Sequence, residues 1–138
     1  MKKILPVLAR LIVVACILLL SPKAFGQLTG IKNIPGDYPN VTAAVTDLNL
    51  QGVGAGGVTF NIAAGFTEST SAQITITATG TAANPIVFQK GGAGANPVIT
   101  RTDLGALTTS TIGGQGDAVI MLDGSDFVTF NGVYFNIR

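Results

Sequence analysis

Histidine is absent from this chain, and cysteine occurs once, at Cys16. Without histidine, the commonest general base and the cysteine–histidine nucleophile pairs are missing. A single cysteine cannot close an intrachain disulfide, so stability must rest on packing and backbone hydrogen bonds. Charge is also scarce: eight Lys and Arg against seven Asp and Glu in 138 residues. The few cations are scattered, which excludes the clustered basic patch that nucleic acid or an anionic membrane requires.

Long apolar runs are lacking too, with one exception at residues 11–20 (LIVVACILLL). That run is shorter than the roughly 20 residues needed to cross a bilayer. Lys2 and Lys3 precede it, Ser21 and Pro22 end it, and Ala24-Phe25-Gly26 follows with small residues at two positions. This order is the secretory pattern, so residues 1–26 read as a signal peptide cleaved before Gln27. No stable membrane span is expected once it is removed, and the protein is expected to be secreted or at the cell surface. Val13-Val14-Ala15-Cys16 loosely matches a lipoprotein processing box. Against lipidation, cleavage there would leave Ile17-Leu18-Leu19-Leu20 at the new N-terminus. Cys16 is better read as one more apolar residue of the signal.

Removing residues 1–26 takes away Lys2, Lys3, Arg10 and Lys23. Four cations then face seven carboxylates, a net charge of −3. Residues 27–138 are enough for one domain. Their apolar residues recur at regular intervals, unlike those of a disordered chain. Asn40-Val41-Thr42 is formally an N-glycosylation acceptor, relevant only in a eukaryotic secretory pathway.

Residues 27–39 contain Gly30, Pro35, Gly36 and Pro39 and read as a loop with room for one short edge strand. Val41, Ala44, Val45 and Leu48 then fall at i, i+3, i+4 and i+7, which predicts a helix over 41–50. Asn40 is placed to cap its start and Gly52 to end it in a left-handed conformation. After Gly57 the period becomes two. Val58-Thr59-Phe60-Asn61-Ile62, Ile74-Thr75-Ile76-Thr77 and Val128-Thr129-Phe130 alternate, as strands with one buried face do. Shorter apolar runs at 86–88, 98–99, 119–122 and 133–135 read as further strands.

Short words repeat. Ala83-Asn84-Pro85-Ile86-Val87 returns as Ala95-Asn96-Pro97-Val98-Ile99, and Val58-Thr59-Phe60-Asn61 as Val128-Thr129-Phe130-Asn131. Gly91-Gly92-Ala93-Gly94 returns as Gly113-Gly114-Gln115-Gly116. Spacings in the low twenties and their fractions are what a strand solenoid produces.

Two segments carry a family resemblance. One runs Tyr38-Pro39-Asn40-Val41-Thr42-Ala43-Ala44-Val45-Thr46-Asp47-Leu48 and continues through Gly56-Gly57-Val58-Thr59-Phe60-Asn61-Ile62-Ala63-Ala64-Gly65-Phe66-Thr67-Glu68. The other runs from Leu122-Asp123-Gly124-Ser125-Asp126-Phe127 through Val128-Thr129-Phe130-Asn131-Gly132-Val133-Tyr134-Phe135. Both resemble the secreted right-handed parallel β-helix proteins of the pectin-lyase-like type. The resemblance implies an all-β, right-handed parallel β-helix solenoid whose N-terminal α-helix caps the open end. Residues 1–26 would then be the signal, 27–57 the loop and capping helix, and 58–138 incomplete β-helix turns. Asn131-Gly132 would be a tight corner. The strand-like stretch at 128–137 has no cap after it. A C-terminal truncation is therefore expected, and with it self-association through the uncovered end. The rival architecture is an antiparallel sandwich in which 128–130 and 133–135 form an Asn-Gly hairpin.

Candidate sites are few. Asp123 and Asp126 lie close together with Asp117 just before, and two carboxylates are what glycoside hydrolysis uses. Asp beside Gly is also ordinary turn chemistry, and Lys90 and Arg101 read as solvated charges at strand ends. Gly113-Gly114-Gln115-Gly116-Asp117 approaches a calcium repeat, but its Asp arrives one residue early. Gly91-Gly92-Ala93-Gly94-Ala95-Asn96 has the spacing with Asn instead of Asp. Calcium takes six to eight oxygen ligands. No catalytic residue, metal site or cofactor is therefore assigned, and whether Asp117, Asp123 and Asp126 bind calcium stays open. The expected function is a secreted, noncatalytic segment of a cell-surface or adhesin-like protein, with extracellular polysaccharide or a cell-surface component as partner. The alternative is the N-terminal part of a secreted polysaccharide lyase or glycoside hydrolase with its catalytic residues downstream.

Overall fold

The computed structural model describes residues 26–102 and 118–138; the expected signal peptide, Cys16, Asp103, Asp117 and the 113–116 glycine segment lie outside the described residues. In chain order the elements are β1 (Leu28–Ile34), α1 (Val41–Gln51), β2 (Val53–Ala63), β3 (Thr67–Thr70) and β4 (Ile74–Ile76). They continue with β5 (Ile86–Gly91), β6 (Val98–Arg101), β7 (Ile120–Leu122), β8 (Val128–Asn131) and β9 (Tyr134–Ile137).

The strands form three sheets, β1-β2-β5-β8, β3-β6-β9 and β4-β7, and every pair within them is parallel. From β2 to β9 the chain visits the three sheets in turn, with two complete passes, β2-β3-β4 and β5-β6-β7, an order compatible with a β-helix-like fold. The hairpin alternative fails on this point. β8, which ends at Asn131, and β9, which begins two residues after Gly132, belong to different sheets. Gly132, at φ 67°, supplies the left-handed turn that sends the chain round this corner.

Stacking alternates inward and outward residues as the two-residue period requires. Val58, Phe60 and Ile62 of β2 are buried, and they align with Ile86, Phe88 and Lys90 of β5. Val128 and Phe130 of β8 extend the first two columns. The repeated Val-Thr-Phe-Asn word thus occupies equivalent places two strands apart in one sheet. The Ala-Asn-Pro word behaves differently. It leads into β5 and β6, which belong to different sheets, so a twelve-residue spacing separates successive corners of the chain and not stacked strands. The expected turn length is also corrected. Val58 pairs with Ile86, a step of 28, and Ile86 with Val128, a step of 42. Residues between β6 and β7 lengthen the second pass and break a uniform period.

An aromatic column runs through the interior. Tyr38 lies 5.9 Å from Phe60, Phe60 stacks on Phe88 at 4.7 Å, and Phe88 on Phe130 at 5.3 Å. Phe135 meets Phe130 edge-on at 5.2 Å. Each such contact adds about 0.5–1.5 kcal/mol beyond simple burial. Gly57 permits the close stacking of the first two layers. A Cβ there would sit 2.4 Å from the Pro85 carbonyl oxygen, which accepts a hydrogen bond from Val58 N.

The helix forms where the periodicity placed it. Its β-branched Val41, Thr42, Val45 and Thr46 are weak helix formers, so tertiary burial must hold it. Val41, Ala44, Val45 and Leu48 are buried, and α1 packs against β4, β1 and β2. Asn40 Oδ1 accepts from Ala43 N at 2.8 Å, and Gly52 N donates to Leu48 O at 2.8 Å. Gly52 has φ 71°, a left-handed value open to glycine, but its ψ of −176° lies outside the αL helical region. The edge strand for which residues 27–39 had room is β1, seven residues long at the edge of the four-stranded sheet. Its Leu28 and Ile34 are buried against the core while Ile31 stays 65% exposed.

Two polar side chains fasten the helix over the strand ends. Glu68, buried on the inward side of β3, accepts from Val41 N at 2.7 Å and Thr42 N at 3.0 Å, and from the Thr42 hydroxyl. Asn49 Nδ2 donates to Thr75 O, while its Oδ1 accepts from Thr77 N and Ala78 N. That amide occupies the edge of β4, where an open strand would otherwise invite another chain.

Candidate functional site

Three of the seven carboxylates in residues 27–138 serve structural bonds, and none of the three is among those the sequence offered for chemistry. Asp37 Oδ2 accepts from Asn33 N at 2.7 Å, closing the turn after β1. Asp47 accepts from the Tyr38 hydroxyl and from Gln51 Nε2. Partial burial, the hydrogen bond to Asp47 and the charges of Asp47 and Asp37 push the Tyr38 phenol well above its ordinary range. Glu68 holds the helix start.

Asp123 and Asp126 are exposed in the stretch between β7 and β8. Their backbones anchor that stretch: Asp123 N donates to Ile76 O, Asp126 N to the Thr79 hydroxyl, and Asp126 O accepts from Gly80 N. No group of three or more His, Cys, Asp or Glu among the described residues is placed to hold a metal ion. In the glycine-rich segment after β5, Gly94 O accepts from Lys90 Nζ and Ala95 O from Gly65 N, so two of its carbonyls serve the corner itself. Arg101 does not stand free in solvent, since it is half-buried and its guanidinium donates to Ala118 O at 2.9 Å. No helix among the described residues is long and apolar enough to cross a membrane.

The feature that sequence reasoning missed lies on the outer face of the four-stranded sheet. Phe60 and Ile62 point inward, so Asn61 between them points outward. Asn61 pairs in register with Asn33 on one side and Gln89 on the other, and Gln89 with Asn131. Four strands thus carry four side-chain amides at one level. Gln89 Nε2 donates to Asn61 Oδ1 at 2.8 Å. At the end of the row nearest β1, a cleft of about 330 Å³ opens between the strand ends. Asn33, Pro35, Asn61, Ala63, Gly91 and Gly92 line it. Neither these residues nor the remaining lining residue, Ile34, can ionise.

Such a surface carries no nucleophile or general base. It offers paired donors and acceptors to a ligand that has both, and shallow space for a flat body to settle. A signal was present in the sequence: Asn61 and Asn131 end the same repeated word, and Gln89 follows Phe88 as they follow Phe60 and Phe130. No family model, curated protein or solved structure matches this chain.

Proposed function

We propose that this chain is an exported, noncatalytic segment that folds as a right-handed parallel β-helix and presents its lateral face to extracellular polysaccharide. The observation that carries the reading is the row of in-register amides on a parallel sheet, in a chain whose Asp37, Asp47 and Glu68 serve structural bonds. Parallel pairing in all three sheets supports the coil, and the strong chirality rule for parallel crossovers favours the right hand. Lys2 and Lys3, the apolar run at residues 11–20 and the small residues 24 and 26 support export. A surface or adhesive role follows from the combination of an exported chain and a repetitive polar face.

Two measurements test this. N-terminal sequencing of material recovered outside the cytoplasm is expected to begin at Gln27; recovery of a lipid-bearing N-terminus at Cys16 would overturn the processing. Incubation with insoluble extracellular polysaccharide should deplete the protein from solution without releasing reducing sugar or unsaturated product. Product release would replace the binding role with an enzymatic one.

A further inference from the structure

The four amides differ in what they leave available. Asn61 uses its Oδ1 to accept from Gln89, so its Nδ2 donor remains. Gln89 uses its Nε2, so its Oε1 acceptor remains. Neither remaining group has a hydrogen-bond partner among the described residues. A donor and an acceptor therefore stand side by side on neighbouring strands, the pattern that two adjacent hydroxyl groups complement. Both residues are half-buried, so their side chains are partly ordered before any ligand arrives, whereas Asn33 and Asn131 at the two ends are exposed. Pre-ordering of this kind reduces the entropy lost on binding.

Gly91 lines the cleft beside Asn61. A Cβ at Gly91 would lie 3.3 Å from Asn61 Cβ and 3.4 Å from Ile62 O. We propose that the Asn33–Asn61–Gln89–Asn131 row with this cleft binds an uncharged, hydroxyl-rich chain, a neutral glycan lying across the strands. The proposal rests on the polysaccharide reading above and assigns it a site and a ligand class. Neighbouring strands are about 4.8 Å apart, close to the length of one sugar ring in an extended glycan, so successive rings meet successive amides. An acidic glycan is disfavoured, because its carboxylate would lose water against a cleft with no cation. An apolar ligand is disfavoured because it would strip water from four amides and return no hydrogen bond.

Affinity electrophoresis of the purified chain through gels containing dextran, galactomannan or a neutral β-glucan, with polygalacturonate as the acidic control, tests this. At least one neutral polymer should retard the protein. The double variant Asn61→Ala/Gln89→Ala and, separately, Ala63→Trp, which fills the cleft from an exposed position, should each weaken that retardation at least tenfold. Urea unfolding of both variants checks that they are folded. Retardation unchanged in a folded variant would overturn the site while leaving the polysaccharide reading intact. Retardation by polygalacturonate alone would overturn the neutral ligand class, again leaving that reading. Retardation by none of the four polymers would overturn both.

Discussion

Replacing Glu68 by alanine isolates the attachment of the helix to the strands. The wild-type carboxylate is 7% exposed and accepts from Val41 N, Thr42 N and the Thr42 hydroxyl. In the variant Val41 N–H stays buried without a partner, which costs about 1–3 kcal/mol. Thr42 is exposed, so water replaces its two bonds, and each contributes about 0.5–1.5 kcal/mol. Losing an anion from a helix N-terminus removes a further ~0.3–1 kcal/mol. A net loss of about 2–7 kcal/mol is expected, a large share of the roughly 5–15 kcal/mol typical of a domain. Glu68→Gln keeps one acceptor oxygen, but its amide NH2 faces donors, so about 1–3 kcal/mol should be lost. Equilibrium urea unfolding at neutral pH reads both values. An alanine variant within about 0.5 kcal/mol of wild type, the scatter of surface substitutions, would refute the buried clasp.

Three further outcomes are expected. Phe88→Ala removes the ring stacked between Phe60 and Phe130 and should cost ~3–5 kcal/mol, with Leu48→Ala beneath the helix costing ~2–5 kcal/mol; thermal or urea unfolding unchanged by either would mean those side chains are not packed as described. The Tyr38 phenol has a folded-state pKa raised above its unfolded value of about 10, so its neutral form is favoured by folding and its contribution is complete below that pH. Stability should therefore fall as pH rises above about 10, and Tyr38→Phe should remove that part of the decline; urea midpoints at several alkaline pH values decide. A polypeptide of residues 27–138 presents the outer edges of β8 and β9 with Phe135 and Ile137 exposed, and it should associate on concentration. Val133→Lys should reduce that association, and sedimentation showing a stable monomer at high concentration would refute the open edge.

Local pattern alone determined several elements. The spacing of Val41, Ala44, Val45 and Leu48 specified the helix and its buried face, since a 3.6-residue repeat leaves no other stripe. Alternation in 58–62, 74–77 and 128–130 specified strands and which residues turn inward. β1 was legible only as room for one short edge strand, because Gly30, Pro35 and Gly36 read as loop punctuation; its bounds are set by pairing with β2. β3 escaped for a related reason. Its sequence Thr67-Glu68-Ser69-Thr70 has no apolar period, and Glu68 points inward only because the start of the helix waits there with three donors.

Sheet membership was a tertiary decision. Asn131-Gly132 is a hairpin signal on local grounds, and nothing within ten residues distinguishes a hairpin from a corner. The distinction is made by Val98 and Ile99, which pair with Tyr134 and Phe135 and draw β9 into another sheet. The amide row depended on the same long-range register. Asn33, Asn61, Gln89 and Asn131 become neighbours through steps of 28, 28 and 42 residues. Unequal lengths between strands hide such a row from any fixed period. Stacking restores it, because parallel pairing preserves the alternation of faces whatever the loops between strands contain.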